Sequence, residues 1–241
     1  MPRTGEDELL VARALAAYGG DTDAVLVATK GGRGRPADGS WTVTGTPAHL
    51  KAAAEASLRR LGVEAIGLYQ PHKPDPAIPF EESTGALREL LDEGKIRFAG
   101  LSSVTCEQIL RARTILGDRL VSVQNGYSPE ARDSEPELRL SAELGLAFLP
   151  WSPLGGISRS SLDGPSGRVA DGRFAAFHEV ARERGVSPQR VCLAWLLSLS
   201  PAVVPIPGAS RPETIRDSAG AADLTLTEEE RARLPSAPLR P

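Results

Sequence analysis

Short apolar runs alternate with helical patterns along the chain, and this alternation restricts its fold more than any other feature of the sequence. The runs lack a strict exchange of polar and apolar residues, which is expected when a parallel sheet is buried on both faces. We predict six such strands, at residues 25–29, 65–70, 96–101, 120–124, 147–151 and 203–206. Strands that alternate with helices place the chain in the α/β class.

Helix signals separate the predicted strands. Amphipathic or capped patterns predict helices at residues 7–17, 46–61, 81–93, 105–116, 135–144, 174–184, 188–199 and 211–220, with a capping box at 227–230. No strand leads into a Gly-x-Gly-x-x-Gly turn that opens a helix, which argues against a doubly wound dinucleotide-binding sheet. No long linker divides the chain, so we predict a single domain over residues 1–241.

Composition argues against several classes of partner. The net charge of −3 gives no sign of binding to nucleic acid or to an anionic membrane. No apolar run approaches the roughly 20 residues that span a bilayer, and the N-terminus is too acidic for a signal peptide. The two cysteines, Cys106 and Cys192, have no metal-ligand spacing. We therefore expect reduced thiols, no metal and a cytoplasmic protein.

Two basic side chains stand at the ends of consecutive predicted strands. Lys30 ends the first run and is one of only four lysines against 24 arginines, while His72 follows the second run between two prolines. The carboxyl ends of parallel strands face one common surface, where active sites of such proteins lie. We predict a catalytic pair, although a solvated lysine and a turn-capping histidine are simpler interpretations. Within the loop at residues 31–45, the part at residues 31–39 is predicted to lie on the substrate side, and phosphate binding is the weaker alternative.

Six segments resemble the aldo-keto reductases, in the order in which that family has them. They are residues 27–30, 68–76, 94–102, 124–129, 150–156 and 205–213, and together they extend over nearly the whole chain. The resemblance implies a (β/α)8 TIM-barrel type of fold. It also implies an oxidoreductase that uses NADPH to reduce a small aldehyde or ketone to an alcohol.

The resemblance further implies four catalytic residues, namely an aspartate, a tyrosine acid, a lysine and a histidine. Lys30 matches the lysine and His72 the histidine. In the family, the aspartate and tyrosine belong to an Asp-Thr-Ala-x-x-Tyr-Gly segment that these 241 residues do not contain. The expectation is therefore a truncated barrel with about six of its eight strands, the first two missing, and an incomplete tetrad. In that arrangement His72 is the expected proton donor.

The resemblance also implies a cofactor site for NADPH. Ser102, Ser103 and Gln124 match positions around the nicotinamide carboxamide, and Trp151 matches the residue that stacks on the nicotinamide ring, although core filling is its simpler interpretation. The loop at residues 152–172 is expected to cover the pyrophosphate, and Asp217 and Ser218 match a pair near the adenine. The remaining matches are Ser152, Leu154, Gly156 and Ser158 in that loop, and Gly208, Ser210 and Arg211 at the start of the final helix. An arginine at a helix start suits a phosphate dianion, so NADPH is expected rather than NADH.

Three alternatives to a working reductase stay open. In these alternatives, the chain is an NADPH-binding module without turnover, a lyase or isomerase that reuses Lys30 and His72, or a fragment of a longer gene product. A barrel without two of its strands exposes unpaired strand edges, which predicts a homodimer or a smaller, re-closed barrel. The sequence does not identify the carbonyl substrate.

Overall fold

The computed structural model describes residues 5–34, 40–157 and 174–234. These residues form two compact units that meet in sequence after Val123. Each unit is described by itself. The single domain over residues 1–241 stays a prediction.

The first unit alternates strands and helices. Its helices are α1 (Glu6–Tyr18), α2 (Pro47–Leu61), α3 (Phe80–Asp92) and α4 (Cys106–Leu116), with a short 3-10 turn at Gly117–Arg119. Its strands are β1 (Ala28–Gly31), β2 (Arg33–Gly34), β3 (Thr42–Val43), β4 (Ile66–Pro71), β5 (Ile96–Ser102) and β6 (Leu120–Gln124), of which the last ends one residue into the second unit. The sheet order is β1, β4, β5, β6.

The sheet of the first unit is parallel where its register is defined. Strand β1 pairs with β4, and β4 pairs with β5, both in parallel. Side chains of α2, α3 and α4, among them Leu50, Leu87 and Ile109, are fully buried and cover the sheet. Parallel strands that alternate with packed helices confirm the predicted α/β class.

The first strand lies later in the chain than the sequence suggested. The run at 25–29 predicts a strand that Lys30 follows, but β1 begins at Ala28 and Lys30 lies inside it. The reason is register, because pairing with β4 starts at Ala28 opposite Leu68. Val25 and Leu26, which the apolar pattern counts as strand, remain 43 % and 50 % exposed.

Local signals fix the helix ends. Thr46 caps α2 by accepting a hydrogen bond from the backbone N–H of His49, and the helix ends at Gly62 in the left-handed conformation. Thr105 and Gln108 form a capping box at the start of α4. The predicted helix positions are therefore confirmed to within a residue or two.

The second unit has mostly helices. They are α5 (Glu135–Glu143), α6 (Ala175–Arg184), α7 (Pro188–Leu199), α8 (Pro212–Ala219) and α9 (Glu228–Arg233), with a 3-10 turn at Gly220–Asp223. Its strand β7 (Ala147–Phe148) is short. The strand predicted at 203–206 is reduced to one parallel bridge between Phe148 and Val203. The cause is Pro205 and Pro207, which have no N–H to donate to a ladder.

Candidate functional site

The structure brings Lys30 and His72 side by side. Lys30 lies in β1 opposite Gln70 of β4, and His72 follows the last residue of β4. The backbone N–H of His72 donates to the carbonyl oxygen of Gly31 at 2.8 Å, which holds the histidine against the end of β1. Both side chains are half-buried. Two neighbouring strand ends thus present an ammonium and an imidazole together.

The electrostatics of this pair favour an uncharged imidazole. Burial, which is the largest cause, and the positive charges of Lys30 and Arg33 together lower the pKa of His72 to about 4. Burial also lowers the pKa of Lys30. In residues 5–34, 40–157 and 174–234, neither side chain has a carboxylate partner. At pH 7 His72 is neutral, which disfavours its predicted role as proton donor.

Two of the three tyrosines have hydroxyl groups that are already hydrogen-bonded within their own unit. The hydroxyl of Tyr69 is buried and donates to the carbonyl oxygen of Leu50 at 2.9 Å. Tyr127 donates its hydroxyl proton to the carboxylate of Glu135. Burial raises the pKa of both phenols, and Glu8 or Glu135 raises it further. Tyr18 ends α1 and is largely exposed.

Ser102 and Ser103 follow the neighbouring strand. Ser102 is the buried last residue of β5, while Ser103 is exposed and has a φ of +56°, in the left-handed region. This region is uncommon for residues other than glycine, and asparagine tolerates it better than serine does. Beneath them the amide of Gln70 donates to Ser122 Oγ at 3.1 Å. Gly100 leaves room for this pair, since a Cβ there would stand 2.3 Å from Ser122 Oγ.

In the second unit, Trp151 presents part of its ring to the surface. Trp151 forms a parallel bridge with Gly126, and the backbone N–H of Trp151 donates to the carbonyl oxygen of Asn125 at 3.0 Å. A Cβ on Gly126 would stand 2.8 Å from the indole, so glycine is needed for the ring to lie there. The residue is 43 % exposed, which argues against core filling. Gln124, at the end of β6, is buried.

The segment after Trp151 is compact up to residue 157. Ser152 has a φ of +50° and Gly156 a φ of +88°. The N–H of Ile157 donates to the carbonyl oxygen of Leu154 at 3.0 Å, and Gly156 lies against the ring of Phe174. The rest of the predicted pyrophosphate loop, including Ser158, lies outside the described residues.

The start of α8 is open to solvent. Gly208, Ser210 and Arg211 are exposed, and no side chain caps the free N–H groups at this end. Asp217, predicted near the adenine, is instead held by α7: Ser187 donates to its carboxylate, and Arg190 lies 3.0 Å from it. Ser218 is buried. The geometry gives Asp217 a structural role between α7 and α8, and its contact with adenine stays a prediction.

Comparison with known proteins decides the family. The model of the "Aldo/keto reductase family" matches residues 3–237. The chain belongs to the aldo/keto reductase family. It is 34 % identical over 227 residues to the uncharacterized oxidoreductase C215.11c of Schizosaccharomyces pombe, a match that extends over 94 % of this chain and 69 % of that protein.

Solved structures agree with this assignment. The glycerol dehydrogenase AKR11B4 from Gluconobacter oxydans is similar with a TM-score of 0.80 and 28 % identity, over 95 % of this chain and 76 % of that one. An aldo/keto reductase from Klebsiella pneumoniae, solved with NADP and acetate, is similar with a TM-score of 0.75 and 28 % identity, over 95 % and 75 %. This aldo/keto reductase thus has the family's TIM-barrel type of fold and belongs with oxidoreductases that use a nicotinamide cofactor on small carbonyl compounds.

Two residues of this aldo/keto reductase, Arg33 and Trp41, were not predicted as part of the site from the sequence. Arg33 lies in β2, and its guanidinium carbon stands 4.3 Å above the ring of Trp41. The strands β2 and β3 have two residues each, which is too short for a periodic signal. The only sequence signal in this region was the loop predicted at residues 31–45, and that prediction included no strand.

Two further observations concern the part of this aldo/keto reductase that the structure describes. No helix there is long and apolar enough to cross a bilayer. No three histidine, cysteine, aspartate or glutamate side chains come together there as ligands for a metal ion.

Proposed function

We propose that the protein reduces a small aldehyde or ketone to an alcohol with NADPH, and that Lys30 and His72 act on the carbonyl oxygen. One observation carries the proposal. Lys30 is half-buried without a carboxylate partner among the described residues, and it stands beside an imidazole that is neutral at pH 7. A strand-end cation without a partner, next to a hydrogen-bond donor, suits an oxygen that gains negative charge.

The two side chains have different tasks. When bound, NADPH supplies the hydride that reaches the carbonyl carbon. The ammonium of Lys30 stabilises the negative charge that develops on the oxygen, and its lowered pKa makes it a readier proton donor than an ordinary lysine. The neutral imidazole of His72 donates an N–H hydrogen bond that orients the carbonyl group. The hydride and one proton together give the alcohol.

The residues of the cofactor site are part of the same proposal. In the first unit, Ser102 and Ser103 offer hydroxyl groups for the carboxamide. In the second unit, the exposed face of Trp151 supports stacking on a flat ring, and the uncapped start of α8 with Arg211 supports a phosphate contact. The other residues proposed there are Gln124, Ser152, Leu154, Gly156, Gly208, Ser210, Asp217 and Ser218.

Replacement of Lys30 tests the proposal. We expect Lys30→Met to lower kcat/KM for aldehyde reduction about 100-fold or more, because the charge on the oxygen loses its partner. The affinity for NADPH, measured by fluorescence titration, should change less than about twofold, since Lys30 faces the substrate. The matched control is Lys51→Met, which removes an exposed surface lysine that pairs with Glu89. If Lys30→Met reduces aldehydes as fast as the parent, the proposal is wrong.

A competing function is NADPH binding without turnover. Its support is that the hydroxyls of Tyr69 and Tyr127 are already engaged, so neither of these tyrosines is available as the acid that the family resemblance implies. NADPH oxidation with a panel of aldehydes, run beside the titration, separates the two functions. Saturable binding with no oxidation for any carbonyl favours the module. That the catalytic tetrad and the barrel are incomplete is likewise a proposal.

A homodimer through strand edges is a further proposal. Within the described sheet, β1 has β4 as its one neighbour. Its free edge supports pairing with a second copy. Light scattering at micromolar concentration measures the mass directly, and a mass of one chain contradicts the proposal.

A further inference from the structure

We propose that Arg33 makes this site selective for carbonyl compounds that carry a carboxylate, and that Trp41 holds the Arg33 guanidinium in position for it. The inference deepens the proposed reductase function and rests on it. It assigns a substrate class, which the family resemblance leaves open. All of the residues concerned belong to the first unit.

A short hairpin carries Arg33 to the side of the catalytic pair. Gly32, between β1 and β2, has a φ of +82°, a conformation that favours glycine, and it turns the chain out of the sheet. Arg33 then pairs with Val43 in an antiparallel ladder, and the N–H of Thr44 donates to the carbonyl oxygen of Gly32 at 2.9 Å. Arg33 thus follows Lys30 by three residues.

The base of the hairpin is fixed to the segment that follows His72. The N–H of Gly45 donates to Asp75 Oδ2 at 2.8 Å. The carbonyl oxygen of Gly45 accepts from the hydroxyl of Ser83 at 2.6 Å. Because both backbone groups of Gly45 are hydrogen-bonded, the base of the hairpin is anchored to the segment that follows His72 and to α3.

The guanidinium of Arg33 is ready for an anion. It lies 4.3 Å above the Trp41 ring, and stacking of this kind restricts a long side chain before any ligand binds. No carboxylate pairs with Arg33 in the ranges that the structure describes. Asp75, which follows His72 by three residues, uses its carboxylate on the backbone N–H groups of Gly45 and Ala77.

The charges around the site are therefore unbalanced. His72 is hydrogen-bonded to Gly31, which Lys30 precedes by one residue and Arg33 follows by two, and both positive charges act on the imidazole. A substrate carboxylate would balance the second charge, and the planar fork of arginine matches a carboxylate with two parallel hydrogen bonds. The half-exposed indole of Trp41, 52 % exposed, offers an apolar face to the substrate body.

The spacing along the chain limits the size of that substrate. Three residues of extended chain span at most about 10 to 11 Å, and the turn at Gly32 shortens this distance. A carbonyl group held by Lys30 and a carboxylate held by Arg33 are then within the span of one small molecule. A benzene ring with the two groups in para positions is a rigid probe of about this length. The probe is 4-carboxybenzaldehyde, and its neutral counterpart is methyl 4-formylbenzoate.

Paired kinetics test the proposal. The parent should show a higher kcat/KM for 4-carboxybenzaldehyde than for the methyl ester. Arg33→Met should lower kcat/KM for the acid about tenfold and for the ester less than about twofold, as expected when one charge-assisted pair is lost. About 0.5 M NaCl should shrink the preference of the parent. The control is Arg59→Met, which removes an exposed arginine from the last turn of α2 and should change neither value.

A binding measurement separates this inference from the reductase function. The indole N–H of Trp41, assigned in NMR spectra with Trp41→Leu, should shift on titration with 4-carboxybenzaldehyde in the parent and not in Arg33→Met. If no carbonyl is ever reduced, the reductase function fails, and this titration still decides on the carboxylate site. If neutral aldehydes are reduced but the acid gives neither a kinetic preference nor an Arg33-dependent shift, the carboxylate site is wrong and the reductase function stands.

Discussion

Removing the charge of Lys30 should raise the pKa of His72. Burial is the largest cause of the low value of about 4, and the charges of Lys30 and Arg33 act in the same direction. One neighbouring charge in a partly hydrated site changes a pKa by about 0.5 to 1 on the pH scale. The pKa of His72 in Lys30→Met should therefore rise by about that amount. It should stay below the ordinary 6.5, because burial and Arg33 remain.

NMR titration of the imidazole protons measures this value directly. The chain has three histidines, so the spectrum is simple, and His72→Gln assigns the signal. The signals of His49 and His178 serve as internal controls. A parent His72 that titrates near 6.5 would refute the argument from burial. An unchanged pKa in Lys30→Met would refute the closeness of the two charges.

The same histidine should make stability depend on pH. The unfolded chain takes up the proton near pH 6.5, whereas the folded protein does so only near pH 4, so the unfolded state binds more protons between these values. Stability therefore rises with pH across this window and is lost as pH falls from 6.5 to 4. A pKa lowered from 6.5 to about 4 corresponds to about 3.4 kcal/mol, which partial exposure reduces to roughly 1 to 2 kcal/mol.

Urea unfolding at several pH values checks this expectation. Between pH 6.5 and 4, the free energy of unfolding should fall less in His72→Gln than in the parent. The difference between the two falls should be roughly 1 to 2 kcal/mol. Other groups titrate in this range, so the difference between the two proteins is the quantity to read. Equal slopes for the two proteins would show that His72 is not buried as described.

Two further perturbations test other parts of the structure. Gly126→Ala should displace the ring of Trp151, since the new Cβ would stand 2.8 Å from it, and should therefore weaken NADPH binding. The control is Gly85→Ala, because Gly85 lies in α3 with open space around its Cα. This variant should leave NADPH binding unchanged and stabilise the protein by about 0.5 to 1 kcal/mol. Equal NADPH affinity in both variants would contradict the role of the indole. Cys192 is buried and its thiol pKa is raised by burial, so a thiol reagent should modify Cys106 in the folded protein and both cysteines only in denaturant.

Much of the fold was readable because its signals are local. Thr46 and Thr105 are followed by helices whose caps they form, and the apolar runs at 65–70, 96–101 and 120–124 are strands within one residue of those bounds. The predicted strand bounds were wrong where the extent of a strand depends on its pairing partner. The run at 25–29 becomes a strand only from Ala28, where β4 lies opposite. The run at 203–206 is limited by prolines that cannot join a ladder.

The candidate site divides in a similar way. Lys30 and His72 were predicted because strand ends of a parallel sheet meet at one surface, and the register of β1 and β4 puts them there. The hairpin with Arg33 and Trp41 was missed, because its strands pair only through contacts eight to ten residues apart. The structure alone identifies the partners of the Tyr69 and Tyr127 hydroxyls, which are the carbonyl oxygen of Leu50 and the carboxylate of Glu135.

The sequence by itself determined the order of strands and helices, the helix caps and the two basic strand ends, because each depends on residues that are neighbours along the chain. Only the tertiary structure decided that His72 is neutral, that Lys30 has no described carboxylate partner and that the charge of Arg33 acts on His72. Burial and the distance between charges belong to the folded molecule, since they arise when segments far apart in sequence exclude water together.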